Sequence, residues 1–145
     1  MTQTTSPIPR RWTVEVDGIR WLPRMIDKAR MRADGKLGAY LMGHSPVDRA
    51  LLYRLKLTTD QFVEIANSAP DDAGVLAALR ARGFDEAAVR RWSDSFPILY
   101  RAFIPVWDLD EGYTAPTPFT RPLVAVMRIL ERPVMDAFRM VSKAP

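Results

Sequence analysis

The chain has 145 residues and a mass of 16.5 kDa, with 48% hydrophobic residues, a formal charge of +4 and a sequence pI of about 9.8. That length suits one domain of ordinary size, able to bury roughly two-thirds of the surface its unfolded chain exposes. The absence of cysteine excludes disulfides, thiolate nucleophiles and Cys-ligated zinc, and the single histidine, His44, excludes multi-histidine metal sites within one chain. The opening residues lack an apolar stretch of signal-peptide length, and no run approaches the roughly 18 apolar residues that span a bilayer. A soluble cytoplasmic protein without a cofactor is therefore expected.

Residues 1–11 are polar and proline-bearing and read as a flexible arm. Thr13 to Val16 alternates with period two, and Asp17-Gly18 then offers a hairpin turn into Ile19 and Trp21. From Pro23 the period becomes helical, with Leu22, Met25, Ile26, Ala29 and Ala33 in one stripe and Asp34-Gly35 as a stop. Gly35, Gly38 and Gly43 make residues 34–44 a loop. Ser45-Pro46-Val47-Asp48 is a strong helix start, with Ser45 as N-cap and Pro46 in the first helical position. Val47, Ala50, Leu51 and Leu55 form its apolar face.

Thr58 to Gln61 is a capping box that opens a short helix with Phe62, Ile65 and Ala66 inward. Pro70-Asp71-Asp72 opens the next, with Val75, Leu76 and Leu79 inward and Gly83 as its end. Asp85-Glu86 begins a longer helix whose stripe runs through Val89, Trp92, Phe96, Leu99, Tyr100 and Phe103. Pro97 must kink or divide it, since proline lacks the amide and crowds the previous turn. Residues 104–118 hold three prolines and an acidic run, and read as an irregular connection. From Thr120, Leu123, Met127, Leu130, Val134, Phe138 and Val141 recur three or four apart, interrupted by Pro133. The fold class is all-α: a compact bundle of short capped helices over 12–116, with a small N-terminal β-hairpin and a basic amphipathic C-terminal helix over 117–145.

The stretch from about Gly18 to Arg82 resembles a bacterial family of domains of unknown function, the one numbered five thousand and sixty-nine. The residues that carry this are Leu22, Pro23, Arg24, Ile26, Asp27, Lys28, Ala29 and Arg30, followed by Gly35, Leu37, Gly38 and Tyr40 in the glycine loop. Pro46, Asp48, Arg49 and Leu52 and the run from Asp71 to Leu79 complete it, and beyond Trp92 the fit fades. The resemblance implies a compact helical bacterial protein and carries over no catalytic residue.

Arg20, Arg24 and Lys28 lie four apart on the first helix, with Asp27 three residues from both Arg24 and Arg30. One acid among several bases suits an anion site, in which Arg24 and Lys28 hold a carboxylate or phosphate and Asp27 orients Arg24. Tyr40 supplies a wall and a hydroxyl. Asp48 completes this candidate ligand-binding set, with capping of its own helix as its simpler role. The plain alternatives are a solvated helix face laced with i, i+3 and i, i+4 pairs, or a tie from Asp27 through an arginine to the glycine loop. The glycine spacing fits neither a P-loop nor a dinucleotide fingerprint. Ser45 beside His44 is accounted for as an N-cap, and no oxyanion hole or orienting acid is marked. Asp108, Asp110 and Glu111 lack the ordered ligand series of a calcium loop, and the Trp92, Phe96, Tyr100 and Phe103 stripe reads as core.

The segment 117–145 carries five basic residues against two acidic ones, while the remainder is close to neutral. Its apolar face suits docking on the domain, on a second copy or on another protein, with an anionic membrane surface the less expected occupant. Nucleic-acid binding is not expected, because the charge is modest and no known motif occurs. The leading expectation is a non-catalytic helical module that binds a protein partner or a small anionic ligand. Its competitors are a small metabolite enzyme using Asp27 or Asp48 as general base, and a membrane- or polyanion-associated adaptor acting through the tail.

Overall fold

The fold was taken from a computed structural model of the chain, in which residues 7–115, 117–122, 125–126, 129–130 and 133 are described. The elements run β1 (Glu15–Val16), β2 (Ile19–Arg20), α1 (Leu22–Ala33), α2 (Pro46–Leu55), α3 (Thr59–Ser68), α4 (Asp72–Arg82), α5 (Glu86–Leu99) and α6 (Ile104–Asp110). The chain is thus mostly helical with a small N-terminal hairpin, as its periodicity predicts. It divides into two units, Met1–Ser95 and Phe96–Pro145. No helix among the described residues is long and apolar enough to cross a membrane.

In the first unit local signals set the elements. Asp17 and Gly18 both have positive φ, 47° and 76°, the pair of left-handed conformations a two-residue hairpin turn needs. They set the antiparallel register Glu15↔Arg20 and Val16↔Ile19. Ser45 Oγ accepts from the Asp48 amide, Thr58 and Gln61 close a reciprocal capping box, and Asp71 accepts from the Gly74 amide. The apolar stripe of α1 (Met25, Ile26, Ala29) packs on α3, which contributes Phe62 and Ala66, and α3 in turn packs on α4. Val75, Leu79, Val89 and Trp92 complete this core.

The hairpin is held to α5 by Ser93, which is fully buried. Its hydroxyl donates to the Gly18 carbonyl (3.0 Å) and accepts from the Arg20 amide (2.8 Å). The Ser93 carbonyl is the one that Pro97, lacking an amide, leaves unpaired in the helix ladder. Arg20 Nη1 takes it at 2.8 Å, and α5 ends two residues beyond Pro97. At the turn Asp17 meets Arg80 (2.5 Å) and Arg90 (3.1 Å), and Arg80 also pairs with Glu86. The Arg80 hydrogen bond and the Arg90 charge hold the Asp17 carboxyl below its ordinary range.

Three expectations change. Residues 104–118 are not wholly irregular, because α6 forms over Ile104–Asp110. Its Pro105 stands in the first turn, where a missing N–H costs nothing. Phe103, read as core, is 55% exposed, and Leu99 in the same stripe is 56% exposed, whereas Trp92 and Phe96 are buried as expected. The arm over 1–11 is held down in its second half: Pro9 is buried and Arg10 is bound to α1 and α4. The C-terminal helix expected over 117–145 falls mostly outside the described residues, of which 120–122, 125–126, 129–130 and 133 are helical.

The second unit is built differently. Phe96, Tyr100, Phe103 and Trp107 form an aromatic cluster, with ring centroids 4.5 Å apart for Phe96–Tyr100 and 6.0 Å for Phe103–Trp107. Of the 21 buried apolar side chains among the described residues, Phe96 alone belongs to this unit.

Candidate functional site

Of the residues singled out, Arg24, Lys28, Tyr40 and Asp48 are brought together around Trp21, and Asp27 is not. This residue precedes α1 with φ 69°, a left-handed conformation that costs a bulky residue on the order of 1–3 kcal/mol. Its surroundings impose the conformation. The indole is 3% exposed and its Nε1 donates to Asp48 Oδ1 at 2.8 Å. Two cations lie near the ring: the Arg24 guanidinium carbon is 5.1 Å from the centroid and Lys28 Nζ 5.3 Å. Tyr40 is half-buried, and its centroid is 5.6 Å from the same Arg24 carbon.

Asp48 has no exposed surface and is fully engaged. Oδ1 accepts from Trp21 Nε1 and from Lys28 Nζ (2.7 Å), and Oδ2 accepts from Lys28 Nζ (2.6 Å) and from the Gly43 amide (2.8 Å). Lys28 also donates to the Leu41 carbonyl at 2.9 Å. A buried ion pair survives only when its remaining bonding capacity is satisfied as well, and here loop backbone supplies both a donor and an acceptor. The pair therefore ties α1 and α2 to the glycine loop. Gly43 has φ 79°, and a Cβ there would lie 2.8 Å from Thr59 Cβ and closer still to its hydroxyl, so the loop can approach α3 only as glycine.

Asp27 has a different task from the expected one. It does not orient Arg24, nor does it tie α1 to the glycine loop. Its Oδ2 accepts from the Arg10 amide (2.8 Å) and Nε (2.9 Å), and its Oδ1 from Arg10 Nη2 (2.9 Å). The same guanidinium reaches Asp72, in the first turn of α4, through Nη1 (2.5 Å) and Nη2 (2.9 Å). Hydrogen bonds from Asp72 and then Asp27 hold Arg10 more firmly protonated than a free arginine, and the Arg10 bond pulls the Asp72 carboxyl below its ordinary range. Arg24 is 6% exposed and donates Nη1 to the Arg10 carbonyl at 3.1 Å.

The chemistry open to these groups is correspondingly narrow. Arg24 and Lys28 are both buried and bonded to protein oxygens. The Asp48 carboxylate already accepts four bonds and has no path to solvent. A general base needs a free lone pair within reach of a substrate proton; Asp48 offers none, and Asp27 accepts three bonds from Arg10, which leaves a single acceptor site on Oδ1 beside a bound guanidinium. An open groove of about 430 Å³ between α3 and α4, lined in part by Gln61, Glu64, Ser68 and Arg82, includes none of the candidate residues.

A family model described as a domain of unknown function, DUF5069, matches residues 6–99. The chain belongs to the DUF5069 family. The match begins before the arm's Arg10 and ends where α5 does, so it spans the Arg10–Asp27–Asp72 clamp and the Lys28–Asp48 cluster together. It reaches further at both ends than the motifs between Gly18 and Arg82. No curated protein matches the chain.

Arg10, Trp21 and Asp72 belong to this constellation and were not among the predicted site residues. The sequence signals a role for Trp21 only by its place before a proline-started helix, and for Asp72 only as a helix-opening acid. Arg10 carries no local signal.

Proposed function

We propose that this DUF5069 protein is a non-catalytic helical module that binds a protein partner through its C-terminal unit. The observation that supports this is the distribution of apolar surface. Eleven large apolar side chains are exposed among the described residues, and eight of them lie in the second unit, including Ile98, Leu99, Phe103, Phe119 and Ile129. Scattered exposed leucines are ordinary, but a concentration in a segment whose described residues bury a single apolar side chain marks an interaction surface. The first unit supplies the scaffold, and its candidate ionisable residues are spent on holding that scaffold together. This favours a protein partner over a small anion, since Arg24 and Lys28 are already bonded to protein oxygens. The expected setting is the bacterial cytoplasm.

The test uses the full chain and a double variant, Phe103→Asp with Ile129→Asp, as baits. Proteins retained by the wild type are identified, purified and rebuilt with it as a two-component complex. The proposal expects a partner that binds the purified wild type and binds the variant at least roughly tenfold more weakly, a loss of about 1.4 kcal/mol. A partner indifferent to both substitutions, or binding confined to anionic vesicles, would overturn it.

A further inference from the structure

Residues 7–11 form no helix or strand, yet Pro9 and Arg10 are fixed against α1 and α4 in the way a short peptide is fixed on a recognition surface. The contacts read both the side chain and the main chain of the segment. The Arg10 guanidinium is gripped by two carboxylates, Asp27 and Asp72, each bonded through both oxygens. This fork-like geometry selects a guanidinium over an ammonium. Arg10 Nη2 also reaches the Pro23 carbonyl at 3.3 Å.

The main chain is read from the opposite sense. The Arg10 amide donates to Asp27, and the Arg10 carbonyl accepts from Arg24, a cation more than nine-tenths buried and aimed at the segment. Little apolar surface secures the arm. Pro9 is buried, Ile8 is 55% exposed and the Arg10 side chain 35% exposed. The seat itself stands on α1 and α4, which are positioned by core residues such as Ile26, Ala29, Val75 and Leu79.

We infer that Asp27, Asp72, the Pro23 carbonyl and Arg24 form a binding site for an extended, arginine-bearing peptide segment, which the chain's own Pro9-Arg10 occupies in cis. The arm then gates the site: a partner segment enters by displacing a tethered competitor whose effective concentration lies near the millimolar range.

The experiment measures fluorescence anisotropy of a labelled peptide with the sequence of residues 7–14, titrated with full-length wild type, Arg10→Ala and Arg10→Lys. Each variant is first checked for a native circular-dichroism melt, and Arg10→Lys keeps a charge in the seat in case the alanine variant does not fold. The expected result is saturable binding to the folded Arg10 variants and at least roughly tenfold weaker binding to the wild type, whose own arm competes. Replacing the peptide's first arginine by citrulline, or adding Asp72→Asn to the protein variant, abolishes the binding. A folded Arg10 variant that leaves the peptide unbound, or that binds the citrulline peptide equally well, would overturn the inference.

Discussion

Substituting Lys28 by methionine measures how far the first unit depends on its buried ion pair. The Lys28 and Asp48 side chains are 4% and 0% exposed, so losing the ammonium leaves a carboxylate in the core. Removing one partner of a buried pair costs about 3–5 kcal/mol. Two donors, Trp21 Nε1 and the Gly43 amide, still face Asp48, which places the cost toward the lower end. Against a total stability of about 5–15 kcal/mol this is a large fraction. At about 4 °C per kcal/mol for a unit of this size, a cost of roughly 3–4 kcal/mol lowers the melting temperature by roughly 12–16 °C. Replacing both partners by apolar residues can restore stability where the substitutes pack well. Here Lys28→Met with Asp48→Leu brings no rescue, because Trp21 Nε1, the Gly43 amide and the Leu41 carbonyl all lose buried partners, at about 1–3 kcal/mol each. Thermal and urea unfolding followed by tryptophan fluorescence and far-ultraviolet circular dichroism gives both values. A single variant melting within about 3 °C of the wild type, or a double variant as stable as the wild type, would refute the keystone role of the pair.

Two further predictions concern the glycine loop and the arm. Gly43→Ala is severely destabilising, because the new methyl meets the Thr59 side chain at a backbone with φ 79°. Gly35→Ala, at φ 68° with open space around it, costs only about 1–2 kcal/mol of left-handed strain, and urea denaturation of the two separates them. The Asp72 carboxyl has a depressed pKa in the folded protein, so its contribution is present above the ordinary carboxylate value, about 3.9. That contribution is lost as pH falls below it, because the unfolded chain takes up the proton first. Wild type is therefore more stable than Asp72→Asn at neutral pH, and the gap closes on acidification below about pH 4; a gap that widens instead contradicts the Arg10 bond.

The legible part of the fold is the part that local chemistry determines. Ser45, the Thr58–Gln61 box and Asp71 cap their helices within three residues, so their roles are written in adjacent positions. The Asp17-Gly18 turn is equally local. Arg24 and Lys28 read as a charged face because periodicity counts any cation as polar. Their burial follows from partners far along the chain: Asp48 lies 20 residues after Lys28, and the Arg10 carbonyl 14 residues before Arg24. Arg10 itself sits in a proline-bearing polar segment with no period, and only tertiary structure brings Asp27 and Asp72 to it. The stripe through Leu99 and Phe103 failed for the converse reason. Spacing places side chains on one face but does not say that anything packs against that face.

Hydrogen exchange on the isolated full-length protein, read by mass spectrometry, addresses the proposed division of labour most directly. The first unit, with 20 of the 21 buried apolar side chains of the described residues, is expected to hold the amides of α1 and α3 until global unfolding. The described residues of the second unit bury only Phe96 among their apolar side chains, so amides of residues 98–115 should exchange orders of magnitude faster and slow down when the protein partner is bound. Protection across 98–115 equal to that of α1 in the isolated protein would contradict the account, since a segment already stable alone leaves no need for a partner to cover it.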